Sequence, residues 1–210
     1  MTRALPVGAR VSFLSACALI LAVCAFVPSA IWILEQPWHT GVWEDDDATI
    51  ELLTRDAGRG RHWIGPYSRF RWNHPGPIFF YAVWPVYWLS GGKPAAARLV
   101  PLFINVGCAV GIVWIVRRYF GSIPAVIAGA GVAIIAAHLG ASIVASLWNP
   151  YSTIMPFALF VCLALGAIMS GRMYLPLTVA VASFLVQTHI AYVPTVAAVV
   201  SCDSTSDFRL

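Results

Sequence analysis

The chain has 210 residues, of which 60% are hydrophobic and only 10% are charged. A soluble domain of this length cannot hide so much apolar surface in one core, so the composition excludes a soluble enzyme and predicts a membrane protein. The formal net charge is +4, but all nine acids lie within residues 35–56 or at Asp203 and Asp207. Residues 57–202 hold no carboxylate, which excludes a carboxylate proton relay through the later spans. The five cysteines are scattered without CxxC spacing and indicate neither a disulfide nor a metal cluster.

Five apolar runs predict transmembrane helices and an all-α, polytopic fold. The first run follows two arginines and could be a signal peptide, but its length and the further spans favour an uncleaved anchor. A large extracytoplasmic loop with juxtamembrane helices, residues 35–98, separates the first span from the second. The predicted spans cover residues 11–34, 99–116, 123–147, 151–169 and 174–200.

Within the loop, residues 78–89 form a short apolar segment that is rich in Tyr and Trp and contains Pro85. Twelve helical residues reach about 18 Å, against a hydrocarbon core of about 30 Å, so we expect a helix that lies on the membrane surface. The positive-inside rule favours the same topology, with the N-terminus in the cytoplasm and the loop, including Lys93 and Arg98, outside. In this arrangement the remaining arginines near span ends are cytoplasmic: Arg3, Arg10, Arg117, Arg118 and Arg172.

An acidic stretch, EDDDATIELLTRDAGRG, opens the loop and predicts a short helix that Gly58 and Gly60 end. Asp47, Glu51 and Arg55 then lie on one helical face at i, i+4 spacing. Two interpretations stay open. Acids in a first turn commonly cap a helix and face water. A carboxylate beside a low-dielectric surface can also serve as a general base.

The next stretch, RGRHWIGPYSRFRWNHPGP, interleaves arginines with aromatic residues. Arg and Trp commonly anchor a chain at the membrane surface, which is one explanation. The other is a pocket for an anionic lipid and a sugar, because Arg binds phosphate oxygens and aromatic faces stack on sugar rings. His62 and His74 lack the ordered spacing of a metal site, so no cofactor is predicted and a divalent cation is not indicated. An external position disfavours nucleic acid as a partner.

Together these motifs resemble membrane glycosyltransferases of the GT-C fold, in particular the protein O-mannosyltransferase and aminoarabinose transferase-like superfamily. The resemblance rests on the acidic cluster after the first span, the YSRFRWNHPGP turn, the aromatic segment, ARLVP and LWNPY. It implies a polyprenyl phosphate-linked sugar as donor and an acid of the first loop as catalytic base. By position Asp46 matches that base best, with Asp47 close behind, although three consecutive aspartates depart from the usual pattern and leave Asp45 open as well. The substrate-binding residues expected from the motifs are Glu51, Tyr67, Arg69, Arg71, Trp72, His74 and Arg98.

We therefore expect a multi-pass protein of a bacterial inner or plasma membrane that transfers a sugar to an extracytoplasmic acceptor. The alternative is a non-catalytic lipid-binding or transport-associated membrane protein that uses the same Arg and aromatic residues to hold headgroups. The polar ending SCDSTSDFRL, residues 201–210, predicts the N-terminal portion of a longer enzyme, truncated or ended by a shifted reading frame. A genuine tail is the alternative. If the chain is such a portion, the 210-residue form is expected to be inactive.

Overall fold

A computed structural model of the chain describes residues 7–38, 45–68 and 70–206. Over these residues the secondary structure is helical, apart from one isolated antiparallel bridge between Tyr67 and Asn73. Two short 3₁₀ helices, Gly171–Tyr174 and Ile190–Tyr192, flank α11. The α-helices are α1 Val7–Cys24, α2 Val27–Glu35, α3 Asp45–Gly58, α4 Ile78–Leu89, α5 Pro94–Ala97, α6 Leu99–Phe120, α7 Ser122–Leu139, α8 Ala141–Val144, α9 Asn149–Ser152, α10 Ile154–Ser170, α11 Leu175–Thr188 and α12 Val193–Ser206.

Four helical segments of the described chain are long and apolar enough to cross a bilayer. They overlap the first four predicted spans, although the third, predicted over residues 123–147, ends at Leu139 because Gly140 takes a positive φ and α8 is separate. Together with the helical content they make this an all-α polytopic membrane protein. The segments are Phe13–Glu35, Pro94–Phe120, Ser122–Leu139 and Asn149–Met169.

The helix bundle packs through small residues where its backbones come closest. Ala18 and Ala22 of α1 are fully buried, as is Ala125 of α7. A Cβ at Gly129 would lie 2.5 Å from the carbonyl oxygen of Ala18, so only glycine allows this approach. Membrane helices commonly associate through such small residues, because apolar lipid tails leave little hydrophobic gain from larger ones.

The fifth predicted span, residues 174–200, needs a correction, because it is two helices rather than one. Helix α11 ends at Thr188, and His189 takes an extended conformation with φ −150° and ψ 119°. The side chain of His189 accepts a hydrogen bond from the N–H of Ala191, and Pro194 has no N–H with which to continue the helical pattern. Helix α12 then continues through Ser206, so the predicted polar tail is helical over its first six residues.

The predicted loop helices have the bounds that the sequence suggested. Helix α3 begins with the acids and ends at Gly58, and α4 spans the aromatic segment Ile78–Leu89 with Pro85 inside it. The two helices pack on the first turns of α6 through a second apolar core. Its buried residues are Ile50, Ala57, Phe79, Phe80, Val83, Ala97, Val100 and Leu147. This core holds the acidic helix at one end of the bundle.

Candidate functional site

An ion pair joins the acidic start of α3 to the start of α6. The guanidinium group of Arg98 donates to the carboxylate of Asp47, and both side chains are about one fifth exposed. The same guanidinium lies over the Trp32 ring of α2, 5.3 Å from its centroid. Arg98 therefore brings together three elements that lie far apart in the sequence. Arg98 directly precedes α6, as expected from its place at the end of the predicted loop and before the second span.

Asp46 differs from its neighbour in its surroundings. Its side chain is exposed, and it has no hydrogen bond or ion pair with the described residues. The consecutive aspartates thus present two different carboxylates, one held by an arginine and one open to solvent. The open carboxylate of Asp46 is accessible to an incoming hydroxyl group.

One turn further along α3, Glu51 and Arg55 form a closed group with Tyr87 of α4. Arg55 Nη2 lies 2.6 Å from Glu51 Oε1, and Arg55 Nε donates to the Tyr87 hydroxyl at 2.6 Å. That hydroxyl in turn donates to Glu51 Oε1 at 2.8 Å. The hydrogen bond to Tyr87 is the main cause that raises the pKa of Arg55, and the charge of Glu51 adds to it. Burial is the main cause that raises the pKa of Tyr87. Glu51 therefore orients a guanidinium instead of facing a substrate alone.

The arginine and aromatic stretch folds as a short hairpin. Ser68 N–H donates to Trp72 O at 2.7 Å, and Gly65 N–H donates to His74 O at 2.8 Å. Arg71 closes the turn with φ 69°, a left-handed conformation that residues other than glycine seldom adopt. Arg69 lies outside the described residues.

The outer surface of this hairpin is aromatic. Tyr67 is 66% exposed and Trp72 is 45% exposed, while the rings of Phe70 and Trp72 stack with centroids 5.4 Å apart. No described contact joins Arg71, Tyr67 or Trp72 to Asp47 or Arg98. The predicted substrate-binding residues therefore fall into two groups, one at the acids and one on the hairpin.

His74 fastens the base of the hairpin to the break after α11. Its Nδ1 accepts a hydrogen bond from Ile190 N–H at 3.2 Å, and its ring lies 4.7 Å from that of His189. Gly76 N–H donates to Gln187 O at 3.1 Å beside it. Burial, and then the neighbouring His189, lower the pKa of His74, so the neutral ring is favoured. His74 thus binds the chain's own backbone.

The sequence does not predict two features of this region. The first is the role of Tyr87, which its segment marks only as an interfacial aromatic. Its hydroxyl contacts Glu51 and Arg55, 36 and 32 positions earlier, which no local pattern encodes. The second is a cavity between α3 and α4, lined by Arg55, Gly58, Arg59, Trp84, Tyr87 and Trp88. The sequence shows Arg59 as a charged residue and Trp84 as an aromatic one. That both line one cavity depends on how α4 packs against α3.

Metal ligation has no geometric support in the described parts of the chain. No three His, Cys, Asp or Glu side chains come together there as a ligand set. His62 packs edge-on against Phe80, 5.3 Å between centroids, and its backbone oxygen accepts from the Tyr81 hydroxyl at 3.1 Å. His62 therefore connects the loop to α4.

Comparisons of this chain with models of protein families, with curated proteins and with solved structures return no match. The fold and the site define the class of molecule as an all-α polytopic membrane protein with a folded loop at one end of its bundle.

Proposed function

We propose that this protein transfers a sugar from a polyprenyl phosphate-linked donor to a hydroxyl group of an extracytoplasmic acceptor. The observation that carries the proposal is the ion pair between Asp47 of the first loop and Arg98 at the start of the second span, one residue away from the exposed Asp46. Such a site pairs a carboxylate that can accept a proton with an arginine that can stabilise an anionic leaving group. The proposal includes a topology in which the N-terminus is cytoplasmic and the loop is outside, in a bacterial inner or plasma membrane.

In the proposed mechanism, the exposed Asp46 carboxylate removes the proton from the acceptor hydroxyl. The hydroxyl oxygen forms a bond to the anomeric carbon as the bond from that carbon to the phosphate oxygen breaks. Polyprenyl phosphate leaves with the electron pair, and a single displacement inverts the anomeric configuration. Asp47 holds Arg98 beside the reacting centre, where its guanidinium offsets the charge of the leaving phosphate. Asp46 is thus the base and Asp47 a positioning residue.

The experiment compares Asp46→Asn with Asp47→Asn in the protein expressed from its complete reading frame. Transfer of labelled sugar from a polyprenyl phosphate donor is measured in membranes that contain equal amounts of each variant. Removal of a general base typically lowers the rate about 10²- to 10⁴-fold, so we expect that loss for Asp46→Asn. Asp56→Asn is the matched control, since Asp56 lies on the same helix away from Arg98.

The outcomes test separately which aspartate is the base and whether any aspartate serves as one. A loss of less than about tenfold in Asp46→Asn would exclude Asp46 as the base. A larger loss in Asp47→Asn would transfer that role to Asp47. Full transfer by a variant lacking all three aspartates would refute an aspartate base and leave the acids as a helix cap, whereas no transfer by the wild type would refute the transferase.

One observation favours the alternative, a non-catalytic protein that binds lipid headgroups. The hairpin presents Tyr67, Phe70 and Trp72 as an exposed aromatic surface with Arg71 among them. Such residues insert at headgroup level without any chemistry. The membrane affinity and the transfer activity of the Arg71→Gln variant are measured side by side. Only the alternative predicts that the substitution lowers membrane affinity with no transfer activity to lose.

A further inference from the structure

The cavity between the end of α3 and the aromatic face of α4 is a second site, separate from the acids. It is an open cavity of ≈400 Å³, within the range of about 300–1,000 Å³ typical of small-molecule sites. Two arginines and three large aromatic rings line it, which are the groups that bind a phosphate and the apolar atoms beside it.

Charge in the cavity is positive. Arg55 is held in place and neutralised by Glu51, with the Tyr87 hydroxyl fixing its Nε. Arg59 is exposed and forms no ion pair with the described residues. One oriented guanidinium group therefore stands beside one uncompensated guanidinium. Arginine donates in a planar fork that matches phosphate oxygens, so Arg59 favours an anion of that kind.

The remaining wall is built from indole rings. Trp84 and Trp88 stack with centroids 6.3 Å apart and planes 27° apart. A Cβ at Gly58 would overlap the Trp84 indole, so a glycine at this position lets the ring lie against the end of α3. Trp88 is 66% exposed and Leu89 is 75% exposed, so the cavity rim is apolar and uncovered. Indole rings next to arginines prefer the headgroup level of a bilayer.

We propose that this cavity binds the phosphate headgroup of an anionic glycerophospholipid of the surrounding membrane. The sugar donor of the proposed transfer does not fit here. In that donor the phosphate is bonded through one oxygen to the anomeric carbon, so the two groups lie side by side. About 16 Å of helix separates Asp47 from Gly58, too far for a donor that reacts at the acids to place its phosphate in the cavity. The lipid site is therefore independent of the transfer reaction.

The test measures lipid binding directly. Protein in micelles of a neutral detergent is titrated with phosphatidylglycerol, with phosphatidylcholine of the same acyl chains, and with inorganic phosphate. Bound molecules are counted by native mass spectrometry for the wild type, Arg59→Gln, Trp88→Ala and Arg61→Gln. Arg61 is exposed, lies two residues beyond Arg59 and does not line the cavity, so its variant is the control of equal charge.

We expect the wild type to prefer phosphatidylglycerol, and Arg59→Gln to weaken that binding about tenfold by removing a charged hydrogen-bond donor. Trp88→Ala should weaken it as well, while Arg61→Gln should leave it unchanged. Equal binding of phosphatidylcholine would overturn the headgroup preference, and equal occupancy by inorganic phosphate would assign the site to a free anion. Equal losses in Arg59→Gln and Arg61→Gln would reduce the effect to general surface charge and refute the site. All of these readouts are unaffected by whether the protein transfers sugar.

Discussion

Removal of one hydroxyl group should loosen the attachment of α3 to α4. Tyr87→Phe deletes the hydrogen bond to Glu51, whose side chain is 13% exposed, and the one from Arg55, whose side chain is 50% exposed. A hydrogen bond to a mostly buried charged group contributes about 1.5–3 kcal/mol, while a half-exposed partner adds little because water screens it. Glu51 keeps its ion pair with Arg55 in the variant, so no charge is left unpaired. We expect a loss of about 2 kcal/mol in the stability of this contact.

Amide hydrogen exchange of α3 measures that loss locally. A decrease of about 2 kcal/mol in the free energy of opening raises the exchange rate of Asp45–Gly58 roughly 30-fold, whereas exchange in α10 should not change. Tyr67→Phe is the control, because Tyr67 lies exposed on the hairpin and its hydroxyl has no described partner. Exchange of α3 within about twofold of wild type would refute the reasoning that the Tyr87 hydroxyl holds this helix.

Two further predictions concern the hairpin and the topology. The pKa of His74 is lowered in the folded protein, so His74 binds a proton more readily when the hairpin is detached. The attachment of the hairpin is therefore fully stable above the ordinary histidine pKa of about 6.5 and weakens below it. Hydrogen exchange at residues 65–76, corrected for intrinsic rates, should therefore rise between about pH 7.5 and 5.5, and His74→Gln should remove that dependence; an unchanged profile in the variant would assign it to another group. Lys93→Cys in a background free of the native cysteines should react with an impermeant thiol reagent added to whole cells. Labelling at this position only after the membrane is opened would place the loop inside.

Local patterns in the sequence were sufficient for most of the helices. The acids mark the start of α3 and Gly58 marks its end, because capping and helix termination depend on neighbouring residues. The short aromatic helix α4 has the bounds predicted from its apolar run. The prediction of a single helix over the fifth span was wrong because hydropathy measures only apolar content. It does not detect that His189 and Pro194 interrupt a helical hydrogen-bond pattern.

The candidate site was predictable only in part, because it depends on contacts across long stretches of chain. The i, i+4 pair of Glu51 and Arg55 could be read from spacing, and Arg98 from its place before a span. That Arg98 would bind Asp47, 51 residues earlier, could not be read, since such a contact follows from the packing of α3 on α4 and of α4 on α5 and α6. The hydrogen bond that His74 accepts from the backbone of Ile190, 116 residues later, could not be read from local spacing either.

The hydrogen bond from Ile190 to His74 also has a consequence for the order of biosynthesis. It joins residues 116 positions apart, so during translation the hairpin emerges long before its partner segment has been made. Until that segment follows, the ring nitrogen of His74 and the backbone N–H of Gly76 lack their native partners. Contacts of such long range form late, because the intervening chain must first be closed into a loop. The nascent protein therefore acquires α11 before the hairpin of its first loop takes its final position.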